Sequence, residues 1–143
     1  MTMPAGQYYV GDLCYVMTDK EWDEFCSITI SNNHCLCGEF EMKDGRRFAT
    51  YGTAWGDGVY RDQYRNEYSV DSGSIGCIKI EDITAEKYKV FGKDIEDLGA
   101  IHTFEYEFTT SGFRGKKEWD GVICIGGVKI ETDPEDFDGD YDE

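Results

Sequence analysis

The sequence predicts an all-β protein, a mainly antiparallel sandwich or barrel, with one short helix near residues 19–26. The first observation is that short segments rich in Val, Ile, Tyr and Phe follow one another along most of the chain, as β-strands do. The second is that turns separate these segments, in a chain with 17 Gly and only 2 Pro. The third is that a single stretch carries a helix start signal. Many short strands with frequent glycine turns are typical of sandwiches and barrels.

The N-terminal elements are a strand and the helix. Residues 7–17 have the aromatic and β-branched content of a strand, and a Gly-Asp pair interrupts them. Thr18 and Glu21 have the spacing of a capping box, in which each side chain accepts a hydrogen bond from the backbone N–H of the other. We therefore expect a helix that begins after Thr18 and ends near Ser27.

The remainder of the chain is predicted to form strands, most of them paired by short turns. Asp-Gly at residues 44–45 and Gly-Gly at residues 126–127 are typical of tight hairpins. Residues 103–108 alternate most clearly, which places Phe104, Tyr106 and Phe108 on one face of a strand. The predicted strands are residues 39–43, 46–51, 59–62, 67–70, 75–80, 87–91, 103–108, 122–125 and 128–132, and residues 95–98 are predicted to turn.

Length and charge limit the organisation and the partners. A chain of 143 residues is the size of one domain, which we place at residues 1–132, followed by an acidic tail at residues 133–143. The 30 acidic and 14 basic residues give a net charge of −16, which repels nucleic acid and favours a protein partner with a basic surface. Because no apolar run is long enough to span a bilayer and no signal peptide is recognisable, we expect a cytoplasmic protein.

The cysteines are expected to be thiols, since the expected compartment is reducing. Zinc would be held by His34, Cys35 and Cys37, but their Cys-x-Cys spacing is tighter than that of ordinary zinc sites and no second pair matches it. We therefore predict neither a metal nor another cofactor. The cysteines are Cys14, Cys26, Cys35, Cys37, Cys77 and Cys124.

Carboxylates in glycine-containing turns are the candidate catalytic groups. Residues 52–76 contain five glycines, and Asp57 and Asp71 lie in their turns, while Asp12 follows an earlier glycine. Brought together, Asp12, Asp57 and Asp71 could divide acid and base roles in hydrolysis or bind a divalent cation. The simpler interpretation is structural, because aspartate beside glycine commonly accepts hydrogen bonds from the backbone of a turn.

Aromatic side chains are the candidate binding groups. Tyrosine and tryptophan make effective anchors at protein interfaces, so exposed members of the set in residues 55–68 would serve docking. An aromatic-lined cavity for a small molecule inside a barrel is the other use that we consider. The predicted binding residues are Trp55, Tyr60, Tyr64 and Tyr68.

Several short motifs carry a resemblance to a known group of proteins. The motifs are YYVGDLCYV at residues 8–16, GTAWGDGVY at residues 52–60 and VDSGSIG at residues 70–76. They resemble the GDPCYV-, TAYGDGxY- and VDSGxIG-like pieces of small uncharacterised proteins from bacteria, bacteriophages and large DNA viruses. The resemblance covers mainly residues 7–81 and departs at Leu13, usually proline, and at Trp55, usually tyrosine. It implies a compact β-domain in a viral or prokaryotic setting and assigns no activity.

These observations favour a non-catalytic β-domain that acts through protein–protein contacts. The resemblance adds a setting, a virion component or a phage or viral effector, in the host cytoplasm or the virion. The first alternative is a small carboxylate-based hydrolase or a divalent-metal-binding protein. The second is an acidic mimic of nucleic acid that inhibits a basic partner, which the charge of −16 allows.

Overall fold

The prediction of an all-β protein is confirmed by the computed structural model, which describes residues 2–31, 34–53, 57–84, 95–112 and 122–132. The described strands form two five-stranded antiparallel sheets and one small ribbon. The strands are β1 (Gly6–Gly11), β2 (Ile30–Ser31), β3 (His34–Cys35), β4 (Gly38–Glu41), β5 (Arg47–Gly52), β6 (Gly58–Asp62), β7 (Glu67–Val70), β8 (Ser74–Lys79), β9 (Ala100–Phe104), β10 (Thr110–Ser111), β11 (Val122–Ile125) and β12 (Val128–Glu131).

The sheets pack face to face as a sandwich. The first sheet has the strand order β4-β5-β8-β1-β9, and the second has the order β10-β11-β12-β6-β7. Successive side chains of a strand point to opposite faces, so Tyr8 and Val10 of β1 enter the core between the sheets while Tyr9 points away from it. The second sheet contributes Ile123, Ile125 and Ile130 to the same core.

A helix covers the other face of the first sheet. Helix α1 (Asp19–Thr29) begins with the predicted capping box, in which the backbone N–H of Thr18 donates to Glu21 at 2.9 Å and that of Glu21 donates to Thr18 at 3.2 Å. Phe25 packs on Phe48 of β5 with ring centroids 5.0 Å apart. The helix ends at Thr29 rather than Ser27, and the Thr29 hydroxyl donates to the Phe25 carbonyl at 2.9 Å.

The hairpins that the Asp-Gly and Gly-Gly turns predict, β4–β5 and β11–β12, are present, and β6 pairs with β7 as a further hairpin. Gly45 and Gly126 have φ angles of +96° and +60° in two of their turns, which explains why glycine stands there. The strand predicted at residues 7–17 is shorter, because β1 ends at Gly11 and a 3-10 turn follows at Leu13–Tyr15. Residues 95–98, predicted to turn, form the short helix α2 (Ile95–Leu98).

The strand predicted at residues 103–108 is wrong in its second half. Strand β9 ends at Phe104, and Phe108 pairs with Met3 in an isolated bridge. Phe104 and Phe108 still meet, with rings stacked 4.0 Å apart, but Tyr106 is 79% exposed. The alternation fails because the chain leaves the sheet after Phe104, so the period of a strand no longer governs where Tyr106 points.

Some predicted elements lie outside the described residues. They are the strand at residues 87–91 and the acidic tail at residues 133–143. Within the ranges that the structure describes, no helix has the length and apolar character needed to cross a bilayer.

Candidate functional site

Asp12 is a fully buried carboxylate whose two oxygens accept four hydrogen bonds. Its Oδ1 accepts from the backbone N–H of Cys14 at 3.0 Å and from the Ser72 hydroxyl at 2.7 Å. Its Oδ2 accepts from the backbone N–H groups of Asp71 and Ser72, at 2.7 and 2.6 Å. Asp12 is 0% exposed, and a buried carboxylate requires such donors. Asp12 therefore fixes the conformation of residues 71–73, which we call the DSG turn.

The DSG turn connects the second sheet back to the first. The chain leaves the first sheet after Gly52, enters the second at Gly58, and returns through the DSG turn to β8. The two connections run side by side, since the backbone N–H of Thr53 donates to the carbonyl of Gly73 at 3.0 Å. Gly73 has a φ of +78°, a conformation that favours glycine. The glycine–aspartate stretch of the sequence thus forms the crossover end of the sandwich.

Glycine is also required where β8 enters the first sheet. A Cβ atom on Gly76 would lie 2.0 Å from the carbonyl oxygen of Ala49 on β5. This approach is far inside van der Waals contact, so a side chain here would push β5 and β8 apart. Gly76 therefore allows β5 and β8 to pair closely next to the DSG turn.

The structure brings the three predicted carboxylates to this turn in different environments. Asp12 lies beneath the turn, whereas Asp71 and Asp57 are exposed on it and beside it. The Oδ1 atom of Asp57 is 4.0 Å from the position that a Cβ on Gly73 would take. Burial raises the pKa of neighbouring Tyr15 to about 12, and the charges of Cys14 and all three aspartates add to the effect. Asp12 is therefore a buried anionic anchor of the turn, and the exposed Asp57 and Asp71 form what we call its acidic rim.

A pocket of about 130 Å³ opens beside the DSG turn. Ser72 and Gly73 form part of its wall, and helix α1 contributes Trp22 and Phe25, whose rings stack 4.4 Å apart. The lining is mainly apolar. A cavity of roughly 150 Å³ with such a lining can hold a benzene-sized group, so this pocket fits one apolar side chain.

Two exposed apolar side chains line the pocket. Ile30 is 47% exposed and Leu36 is 43% exposed, and both line it. The other large apolar residues that are exposed in the described part of the chain are Val59, Tyr64 and Tyr106, and they do not line this pocket. Apolar surface around a concave site is typical of binding surfaces.

A second buried polar cluster joins the two sheets. Asp62, at the end of β6, accepts hydrogen bonds from the backbone N–H groups of Tyr64 and Asn66 and from the Asn66 side chain. It also accepts from the Tyr68 hydroxyl at 2.6 Å, and that hydroxyl lies 3.0 Å from Nε2 of His102 on β9. Because the hydroxyl proton goes to Asp62, the Nε2–H of His102 donates to the hydroxyl oxygen. None of these groups lines the pocket beside the DSG turn.

The acid stability of the protein should depend on His102. Burial lowers the pKa of His102 below its ordinary value of 6.5, although the Asp62 carboxylate acts in the opposite direction. As the pH falls through about 6.5, the unfolded chain therefore takes up a proton before the folded one does. We expect the free energy of unfolding to decrease from about pH 6.5 downwards, and His102→Gln to flatten this slope. Urea unfolding of wild type and of His102→Gln between pH 7.5 and 5 measures both slopes. An unchanged slope in His102→Gln would contradict the assignment.

The predicted aromatic binding residues are mostly not available for docking. Tyr60 and Tyr68 are 3% and 0% exposed, so their prediction as surface anchors is corrected. The reason is strand alternation, which points Tyr60 and Tyr68 of the paired strands into the core between the sheets. Tyr64, at the hairpin turn, is 65% exposed, and Trp55 lies outside the described residues.

The predicted zinc ligands are only partly described. Cys37 is half-buried, and its Sγ accepts a hydrogen bond from the backbone N–H of Gly52 at 3.4 Å. The side chains of His34 and Cys35 lie outside the described part. Where side chains are described, no three His, Cys, Asp or Glu residues are grouped as metal ligands would be.

Comparison with protein-family models, with curated proteins and with solved structures finds no match for this chain. The resemblance to bacterial, phage and viral proteins therefore stays a prediction. What the fold and the pocket define is a class, an acidic β-sandwich with an apolar pocket at its crossover end.

Proposed function

We propose that this chain is a non-catalytic binding module that docks onto a protein partner through the pocket beside the DSG turn. The pocket accepts one apolar side chain of the partner, and basic residues on either side of that side chain meet the acidic rim. The observation that carries the proposal is the combination of an apolar pocket, exposed Ile30 and Leu36 at its mouth, and exposed Asp57 and Asp71 beside it.

The apolar part of the site supports binding by burial. Covering a half-exposed isoleucine and leucine removes apolar surface from water, which contributes roughly 25 cal/mol per Å². Filling a pocket that already has its shape costs little reorganisation, and a central apolar anchor is typical of interface hot spots. The hydrogen bonds that Asp12 accepts from the backbone N–H and hydroxyl of Ser72 hold the pocket wall in place before a partner arrives.

The charged part of the site supports selectivity. Asp57 and Asp71 are exposed, and the whole chain carries a net charge of −16. Such a field speeds the encounter with a basic partner and disfavours an acidic one. The role of Asp12 in this proposal is structural, since both of its oxygens are already engaged by protein donors.

A set of matched peptides tests the proposal. The reference probe is a fluorescent peptide with one leucine between two pairs of lysines; in one control glutamates replace the lysines, and in another asparagine replaces the leucine. We expect the lysine–leucine peptide to bind at least about tenfold more tightly than either control at low salt. Fluorescence anisotropy gives the three affinities. Equal binding of the asparagine and leucine peptides would contradict insertion into an apolar pocket.

The variant Leu36→Asp should weaken binding of the lysine–leucine peptide by at least about tenfold, because a charge at the mouth opposes burial of the apolar side chain. The added carboxylate attracts the lysines of the peptide, so an effect of charge alone would strengthen binding rather than weaken it. The matched control is Val59→Asp, since Val59 is 53% exposed on the second sheet and does not line the pocket. Binding that falls equally in both variants, or that rises in Leu36→Asp, would contradict the site.

A further inference from the structure

We infer that the pocket is also a site of reversible thiol modification, at Cys26 or Cys37, by small disulfides that carry positive charge. The modification itself rests on the chemistry of the pocket alone. Its consequence, that the adduct blocks docking, rests on the proposed function.

Two cysteines from separate parts of the chain line this one small pocket. Cys26 lies on helix α1 and packs against the cluster beneath it, whereas Cys37 precedes β4 and packs against the core between the sheets. Both are half-buried thiols, and both line the 130 Å³ space. The hydrogen bond from Gly52 N–H to Cys37 Sγ fixes that sulfur at the pocket wall, because Gly52 also lines the pocket.

The other described cysteines provide contrasting environments. Cys77 is fully buried, and burial raises the pKa of its thiol to about 12, which suppresses the reactive thiolate. Cys14 and Cys124 are half-buried like the pocket cysteines, but neither lines the pocket. The backbone N–H of Cys14 donates to the Asp12 carboxylate, so Cys14, like the pocket cysteines, lies close to the negative charges of the DSG turn. Cys14 is therefore the matched control for charge, and Cys124 is the control on the second sheet.

The acidic rim selects the reagent. Asp57 and Asp71 are exposed beside the pocket, so a dicationic disulfide such as cystamine is attracted and a dianionic one of similar size is repelled. The short ethylene arm of cystamine fits a space that admits one side chain. Its ammonium group can then stay at the rim while its sulfur reaches the thiol.

The reaction is a thiol–disulfide exchange. The thiolate of the pocket cysteine attacks one sulfur of cystamine, a new sulfur–sulfur bond forms to the protein, and the original disulfide bond breaks. The second cysteamine leaves as a thiolate and takes up the proton that the protein thiol released. No external oxidant is consumed, and an added dithiol reverses the step. The product carries cysteamine inside the space that the proposed function assigns to the partner's apolar side chain.

The experiment measures adduct formation cysteine by cysteine on the whole chain. Cys35 is first replaced by serine, because its side chain lies outside the described part and its reaction would confuse the comparison. The Cys35→Ser protein is then treated with limiting cystamine or with limiting 3,3′-dithiodipropionate, and peptide mass spectrometry locates the adducts. We expect cystamine to modify Cys26 or Cys37 before Cys14 and Cys124, and at low salt roughly tenfold faster than the anionic disulfide does. Raising the salt from about 0.01 M to about 0.15 M should shrink that ratio.

Other outcomes overturn the inference. Modification of Cys14 or Cys124 ahead of both pocket cysteines would show that charge or exposure, and not the pocket, directs the reaction. Equal rates of reaction of the two disulfides with the pocket cysteines would contradict the claim that the acidic rim selects the cationic reagent. In the Cys26→Ala and Cys37→Ala proteins, loss of the early adduct identifies the reacting thiol. In the double variant, an adduct that forms at another cysteine as fast as in the parent protein, followed by intact mass, would overturn the assignment.

The test separates the inference from the proposed function. Adduct mapping needs no partner, so the modification site stands or fails even if the lysine–leucine peptide does not bind. If that peptide binds unmodified protein, its affinity should fall by at least about tenfold on the cystamine adduct and recover after reduction. Unchanged affinity on a pocket adduct would overturn the block of docking while leaving the mapped thiol in place.

Discussion

We expect Asp12→Ala to lower the free energy of unfolding by about 3 kcal/mol, because three backbone N–H groups and the Ser72 hydroxyl lose their acceptor at once. The DSG turn loses its fixed conformation in this variant, and with it one wall of the pocket. The lysine–leucine peptide should therefore bind at least about tenfold more weakly, even where the variant is folded. Urea unfolding and fluorescence anisotropy measure the two effects.

The control for Asp12→Ala is Asp23→Ala, which removes the same charge from an exposed position on helix α1. Surface substitutions of this kind usually change stability by less than about 0.5 kcal/mol. A loss below about 1 kcal/mol in Asp12→Ala would contradict the role of Asp12 as the anchor of the turn.

The variant Asp62→Ala should also lower the free energy of unfolding by about 3 kcal/mol. Burial raises the pKa of Asp62, but hydrogen bonds from Tyr68, Asn66 and Tyr64 outweigh it and hold the pKa below its ordinary value. These donors stabilise the ionised carboxylate in the folded protein alone, so the stability they provide is present above the ordinary pKa near 3.8 and is lost as the pH falls below it. Urea unfolding of Asp62→Ala and wild type at neutral and acidic pH measures this contribution.

Asp62→Ala differs from Asp12→Ala in its expected effect on docking. The Asp62 cluster lies at the turn of the β6–β7 hairpin and lines no part of the pocket. Under conditions where both variants are folded, Asp62→Ala should keep the wild-type affinity for the lysine–leucine peptide. If Asp62→Ala weakened binding as much as Asp12→Ala, the loss would reflect general destabilisation rather than the pocket wall.

Local signals in the sequence predict most of the fold. The capping box of Thr18 and Glu21 lies within one helical turn, and the Asp-Gly and Gly-Gly turns fix hairpins between adjacent strands. Each of these features depends on residues a few positions apart, so a reading along the chain captures it. The prediction fails at Tyr106, where the pattern of a strand continues after the strand has ended.

The site is less predictable because long-range contacts build it. The carboxylate of Asp12 binds Ser72 across 60 positions of the sequence, and no local pattern indicates that pairing. The sequence could therefore place Asp12 and Asp71 in turns without showing that one holds the other from beneath. The pocket brings together helix α1, Leu36 and the DSG turn, which are likewise distant along the chain. The Asp62–Tyr68–His102 contact joins residues of both sheets. The only sign of it in the sequence is an aspartate that precedes a hairpin turn.

The most direct test of the central claim is to locate the lysine–leucine peptide on the protein. A titration followed by backbone amide chemical shifts of ¹⁵N-labelled protein reports every contacted region at once. The claim predicts that the largest changes fall on Ile30, Leu36 and residues 72–74, and that Leu36→Asp removes them. Changes centred instead on the groove around exposed Tyr106, or spread evenly over the acidic surface, would contradict docking through the pocket beside the DSG turn.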